Sequence, residues 1–147
     1  RTYPHAQNQH LIQPFAGITD LLRDLKAKNL PMALATSKRR VPVAKQISAF
    51  GWEDFFDPIV TPDEVSQGKP HPESLQFILD YLGVPPEEAL MVGDTTFDLE
   101  MANAAGVPSL ALGHGFHSQS QLSACGPRAF APDVPALREL LFAWIEP

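Results

Sequence analysis

Apolar and polar positions along this chain follow a helical rhythm in some stretches and collapse into short unbroken apolar runs in others. Between Pro14 and Asn29, Ile18, Leu21, Leu22 and Leu25 fall at helical spacing, which predicts an amphipathic helix. Pro42 to Phe50 reads as a second helix, with proline in its first turn and Gly51 just past its end. Pro72 to Leu82 carries Leu75, Ile78, Leu79 and Leu82 on one stripe and stops at Gly83. Thr96 to Ala105, closed by Gly106, a short helix around Gln119 to Cys125, and a last helix from Pro135 to Ile145 complete the helical set. The apolar runs Pro31–Thr36, Pro58–Thr61, Ala89–Gly93, Pro108–Leu112 and Ala129–Ala131 read as strands.

Strands that alternate with helices imply parallel pairing through helical crossovers. Short strands without polar alternation fit a sheet covered on both faces. The expected class is therefore α/β with a parallel sheet. In such sheets ligands bind beyond the carboxyl ends of the strands, so the residues just after each strand carry the functional information.

Composition narrows the picture. The chain has 147 residues, 44% hydrophobic and 19% charged, with one cysteine, Cys125, which cannot form an internal disulfide. A net charge of −6 argues against a broad nucleic-acid-binding face. No apolar run approaches the roughly 18 residues of a membrane span, and no charged-then-apolar signal opens the chain. These features, with the single cysteine, lead us to expect a cytoplasmic protein with no nucleic-acid or membrane partner. The first residue is Arg1 and the first methionine is Met32, inside a predicted strand, so the sequence reads as a piece of a longer protein or a processed product. Residues 1–13, polar and rich in His and Gln, are read as a linker or the end of another element, and 14–147 as the folded core.

Three strand ends carry candidate chemistry. After the first strand stand Thr36, Ser37, Lys38, Arg39 and Arg40, followed by a helix. Two hydroxyls, backbone N–H groups and a helix N-terminus suit a phosphate, although either hydroxyl could simply cap the helix. After the second strand comes Gly68-Lys69-Pro70-His71-Pro72, where glycine and prolines can fix the backbone around Lys69. The alternative is a solvated lysine in a turn, with His71 as a cap or surface residue. After the third strand, Asp94 follows directly and Asp98 lies one helical turn further on. Paired carboxylates repel unless something positive lies between them, and hard oxygen ligands beside a phosphate suit Mg²⁺. Capping by Asp94 and helix-dipole compensation by Asp98 is the alternative. A hydroxyl, a lysine and two acids ending successive strands are explained together by one metal and phosphate site.

The stretches "MALATSK", "GKPHPES" and "MVGDTTFDLEMANAAG" resemble, in order and spacing, the second, third and fourth motifs of the haloacid dehalogenase superfamily of phosphohydrolases. The phosphoglycolate-phosphatase-like branch is the most similar part of it, and "LGHGFHSQSQLSACGPRAFAPDVPALREL" resembles the tail of its bacterial members. The resemblance implies a three-layer Rossmann-like core and a Mg²⁺-dependent phosphatase acting on a small phosphorylated metabolite through an aspartyl-phosphate. It implies that Thr36 binds the transferring phosphoryl group with help from the Ser37 backbone. It further implies that Lys69 neutralises charge on that group, that Asp94 binds Mg²⁺, and that Asp98 supports it.

One departure is large: the family's "DxDGT"-like nucleophile stretch does not occur in these 147 residues. Asp20 and Asp24 fall on a predicted helix, and Asp57 and Asp63 lie in unsuitable contexts. The resemblance therefore implies a chain lacking the central first strand and most of the helical cap that follows it, with that N-terminal segment as a candidate partner. The chain alone is then expected to be inactive, and to be accompanied by the missing strand or to close the gap by pairing its neighbours. His114 and His117, after the fourth strand, either touch substrate or are plain loop histidines. A phosphomutase or a dehalogenase of the same superfamily, and a non-catalytic phosphate-binding or interaction module, are the competing functions. The dehalogenase has no evident use for metal-binding Asp94 and Asp98.

Overall fold

The computed structural model describes residues 17–113 and 117–146; the linker read over 1–13, the start of the first helix and His114 lie outside them. The elements run α1 (Ile18–Ala27), β1 (Leu34–Ala35), α2 (Arg40–Phe50), β2 (Ile59–Val60), α3 (Glu73–Leu82), β3 (Met91–Gly93), α4 (Thr96–Ala105), β4 (Ser109–Leu112), α5 (Gln119–Ser123), β5 (Ala129–Ala131) and α6 (Val134–Ile145). Every helix and strand expected within the described residues is present. A 3₁₀ turn at Pro86–Glu88 is the one addition.

The differences lie at the ends. α2 starts at Arg40, two residues before the proline, because Pro42 still falls in the first turn, where its missing N–H is not needed. Pro72 is the N-cap of α3, not its first residue. Gly51, Gly83 and Gly106 end α2, α3 and α4 with φ of 72, 67 and 75, the left-handed geometry that glycine adopts without a Cβ clash. The strands are shorter than their apolar runs. β1 has two residues, yet Asp57 N–H donates to Met32 O, Leu34 N–H to Pro58 O and Thr36 N–H to Val60 O. The extended pairing thus covers 32–36 even where regular ladder geometry does not.

All strand pairs are parallel: β1 with β2, β3 with β4 and β4 with β5. Successive strand side chains go to opposite faces, and both faces are buried, as a sheet covered on both sides requires. Leu34, Val92, Leu110, Leu112 and Ala131 join α1, α2 and α6 in one apolar cluster, through Ile18, Leu22, Val43, Ile47, Leu137 and Leu141. Ala35, Val60 and Met91 join α3 and α4 in a second, through Leu75, Ile78, Met101 and Ala102. A smaller third cluster seats Leu122 of α5 on Leu99 and Ala111. The result is three layers, helices on both sides of parallel strands.

The strands form two sheets, β1-β2 and β3-β4-β5, and among the described residues β1 and β3 are not paired. They flank an apolar slot of about 230 Å³, with Ala33 and Ala35 on one wall, Leu90, Met91 and Val92 on the other, and α1, α3 and α6 around it. Leu34 and Thr36 send their amides to β2, so the Ala35 amide between them points toward the slot; Val92 on β3 stands likewise. Direct pairing of the two strands, one of the two outcomes expected from the sequence, does not occur. The gap falls where the resemblance puts the missing first strand.

Leu34 is fully buried and anchors β1 to its cluster. Leu34→Ala should lower unfolding free energy by about 2–5 kcal/mol, the usual result of truncating a buried leucine, in urea denaturation with an unchanged slope. A loss below about 1 kcal/mol would show that β1 is not packed as described.

Candidate functional site

β3 runs out of the core at Gly93, and Asp94 and Thr95 turn the chain into α4. Thr95 is the N-cap, and its hydroxyl accepts the Asp98 N–H at 3.2 Å. Asp98, in the first turn, points back at the strand end, where its Oδ2 accepts the Asp94 N–H at 3.3 Å. Glycine at 93 is dictated by this arrangement: a Cβ there would lie 2.4 Å from the Asp98 Cβ. Asp94 and Asp98 are both buried, at 3% and 0% exposure.

The second strand end reaches the same place. Lys69, which follows Gly68 and precedes Pro70 in a cis peptide bond, donates its Nζ to Asp98 Oδ1. The pair is buried on both sides. Lys69 is therefore not the solvated turn lysine of the alternative reading. His71 is a cap, as the plainer reading had it: its Nδ1 accepts the Glu73 N–H at the start of α3. Glu73 in turn accepts the amides of Ser66 and Gln67 and holds the loop shut.

At the first strand end the capping alternative does not hold. Thr36 is buried and Ser37 exposed, both beyond β1 on the other side of the slot from Asp94. Neither caps α2, whose N-cap is Arg39 without a side-chain bond. Thr36 Oγ1 instead accepts the Lys38 N–H, and the first amide of α2, at Arg40, goes to Asp63 Oδ2. The helix N-terminus is thus partly satisfied from within. The structure interlocks Lys69, Asp94 and Asp98, and sets Thr36 and Ser37 at the neighbouring strand end.

Comparison with known proteins decides what this arrangement belongs to. The sequence profile of haloacid dehalogenase-like hydrolases matches residues 1–112. The chain belongs to the haloacid dehalogenase-like hydrolase family. It is 30% identical over 141 residues to the pyrophosphatase PpaX of Halalkalibacterium halodurans, covering 96% of this chain and 66% of that protein. It is 36% identical over 103 residues to the phosphoglycolate phosphatase of Escherichia coli, covering 70% of this chain and 41% of that protein. Among solved structures, a HAD family hydrolase from Deinococcus radiodurans, determined with bound phosphate and sodium, superposes with a TM-score of 0.84 at 25% identity, over 90% of this chain and 60% of that one. The chain therefore spans between about two fifths and two thirds of the length of these proteins.

In this haloacid dehalogenase-like chain the strand-end cluster brings two buried carboxylates, Asp94 and Asp98, to one buried lysine, Lys69. Among the described residues no group of three or more His, Cys, Asp or Glu side chains gathers. That donor set fits Mg²⁺, which takes one or two carboxylates and completes its shell with substrate oxygens and water. It would not make the closed all-protein cage of a structural zinc. Asp98 has Lys69 on one oxygen and the Asp94 amide on the other.

Two sets of contacts escaped the sequence reading. Thr61, Asp63 and Glu64 follow β2 and lace it to α2: Glu64 accepts from the Thr61 amide and hydroxyl, and from Arg40. Burial pushes the Glu64 carboxyl up, but these hydrogen bonds and the Arg40 charge outweigh it and hold it below its ordinary value. The polar run Thr61-Pro62-Asp63-Glu64 directly after a strand was the available signal. The other is the bond made by His117, already singled out after the fourth strand as a substrate contact or a plain loop histidine: its Nδ1 accepts the Thr96 N–H from 21 positions away.

Gly93→Ala tests the packing. The added methyl must displace Asp98 and so loosen the Lys69 pair, with a stability loss of at least about 1–3 kcal/mol, the ordinary penalty of overpacking. Chemical denaturation of the variant within about 0.5 kcal/mol of the parent would mean that Asp98 does not lie against the strand.

Proposed function

We propose that these residues are the phosphate- and metal-holding part of a Mg²⁺-dependent phosphatase acting on a small phosphorylated metabolite, a phosphoglycolate-like phosphomonoester. One observation carries the reading: Lys69, Asp94 and Asp98 meet in a buried cluster at the carboxyl ends of parallel strands, where such sheets bind ligands. The names of the relatives, a pyrophosphatase and a phosphoglycolate phosphatase, support a phosphate ester or anhydride as substrate. The phosphate bound in the Deinococcus radiodurans structure supports the same class.

Phosphoryl transfer asks the protein mainly for positioning and for neutralisation of charge on the equatorial oxygens. In this reading Thr36 holds the phosphoryl group together with the Ser37 N–H. Lys69 sets its ammonium against the phosphoryl oxygens, aimed by Asp98, which it cannot leave without stranding a buried charge. Asp94 would hold Mg²⁺ and Asp98 would support it. When bound, the metal would polarise the phosphoryl oxygens and offset their charge. The nucleophile is an aspartate of the longer protein, since no "DxD" stretch occurs in these 147 residues; it attacks phosphorus as the phosphorus–oxygen bond to the alcohol breaks, the alcohol leaves with a proton, and water then cleaves the aspartyl-phosphate to release phosphate and restore the carboxylate. We place the protein in the cytoplasm with no nucleic-acid or membrane partner. The net charge of −6 supports that, as does the lack, among the described residues, of a helix long and apolar enough to cross a membrane.

The test is turnover of a panel of small phosphomonoesters and pyrophosphate, with Mg²⁺, by a longer protein that contains these residues and an upstream aspartate motif. Asp94→Asn should cut turnover by about a hundredfold or more, because a bound metal supplies several kcal/mol of charge stabilisation. The 147 residues alone should release no phosphate. Near-normal turnover of the Asp94→Asn protein at ordinary Mg²⁺ would overturn the assignment.

A further inference from the structure

His117 lies far from the Asp94–Asp98 turn in sequence and is bonded to it in the fold. Its Nδ1 accepts the Thr96 N–H at 2.9 Å. Thr96 is the first residue of α4, and its amide is one of those an α-helix cannot satisfy internally. The helix supplies its own acceptors for the next amides it needs: Asp98 N–H goes to the Thr95 hydroxyl and Leu99 N–H to Thr95 O. For Thr96 the acceptor comes from across the site. An imidazole that accepts at Nδ1 carries its proton on Nε2. The ring also meets Phe97 edge-on, with centroids 5.9 Å apart at 67°, and Phe97 is itself 51% exposed.

The anchor behind His117 is firm. The next residue, Ser118, is the N-cap of α5, and Ser118 and Gln121 close a reciprocal capping box. Leu122 of α5 is fully buried against Leu99 and Ala111, so α5 is tied to the middle of α4 and to β4. His117 thus projects from a fixed base onto the central residue of the five that separate and include the two aspartates.

We propose that His117 is a positioning residue: by holding the Thr96 amide it fixes the turn that sets Asp94 against Asp98. The proposal rests on the reading of these two carboxylates as a metal-supporting pair. The direct restraint between them, Asp94 N–H to Asp98 Oδ2, is long at 3.3 Å and weak by itself. Rotation of the backbone at Thr96 would carry Asp98 away from Asp94, and the imidazole opposes that rotation from the one side where α4 offers nothing. In this role His117 acts through the backbone, by its bond to the Thr96 N–H.

The experiment uses the 147-residue chain without metal. Amide hydrogen exchange is followed at Asp94, whose N–H reports the placement of the Asp98 carboxylate, and at Leu110 in β4, which reports the core. His117→Ala should speed exchange at Asp94 by at least about tenfold and leave Leu110 unchanged, as a local opening does. His117→Asn should restore Asp94 protection, because the asparagine Oδ1 occupies the position of the imidazole Nδ1. Unchanged Asp94 exchange in His117→Ala would overturn the proposal. So would equal acceleration at Asp94 and Leu110, which would make His117 an ordinary stabilising cap. A parallel Mg²⁺ titration separates this from the functional reading. If the parent chain shows no Mg²⁺ binding that Asp94→Asn abolishes, the metal assignment fails while a selective response of the Asp94 amide still upholds His117. If Mg²⁺ binds and the Asp94 amide ignores His117, the metal assignment stands and the positioning role is wrong.

Discussion

The buried ion pair between Lys69 and Asp98 is the constraint on which the site depends. A lysine ammonium removed from water is tolerable only with a partner and with further hydrogen bonds around that partner. Asp98 supplies the charge, and its second oxygen is occupied by the Asp94 amide. The pair joins residues 29 positions apart, so the loop after β2 and the first turn of α4 cannot move independently. It also dictates glycine at 93, the only residue that lets Asp98 lie against the strand. An apolar pair of similar volume would often stabilise a fold as well or better. A charged pair at this depth is therefore poor as a mere stabiliser and well suited to presenting one positive charge in a fixed direction.

The sheet explains why such a group stands at a strand end. Parallel strands alternate their side chains between two helical layers, which leaves only the strand ends for chemistry. β1 ends in Thr36 and β3 in Asp94, and these are the two strands that flank the slot. An apolar cavity lies between them, but neither Thr36, Lys69, Asp94 nor Asp98 lines it. The slot is a feature of the sheet, lying below the polar residues at its rim. Ala33 and Ala35 leave room that larger side chains at those positions would occupy.

Much of this was legible in the sequence where the signal is local. Helical stripes such as Ile18, Leu21, Leu22 and Leu25, and the glycines that end α2, α3 and α4, report geometry decided within a few residues. The span of α4 and that of β5 agree with the sequence reading residue for residue. Strand lengths were not legible, because a ladder is only as long as its partner allows, and among the described residues β1 pairs with β2 alone. The candidate residues could be found from their place after strands, but their pairing could not. Asp98 was expected to support Asp94, and only the fold shows it engaged by Lys69. Asp63 on the Arg40 amide and His117 on the Thr96 amide bridge 23 and 21 positions, and no local pattern announces such contacts.

The central claim is that three strand ends form one site for a phosphate and a divalent cation. Titration of the ¹⁵N-labelled chain with inorganic phosphate and Mg²⁺, followed by amide chemical shifts, tests it most directly. The account predicts that one set of shifts, saturating together, appears at Thr36 to Lys38, at Lys69, and from Asp94 to Asp98, and that phosphate alone produces a weaker response than phosphate with Mg²⁺. Shifts confined to one of the three segments, or saturating at different concentrations in each, would contradict it.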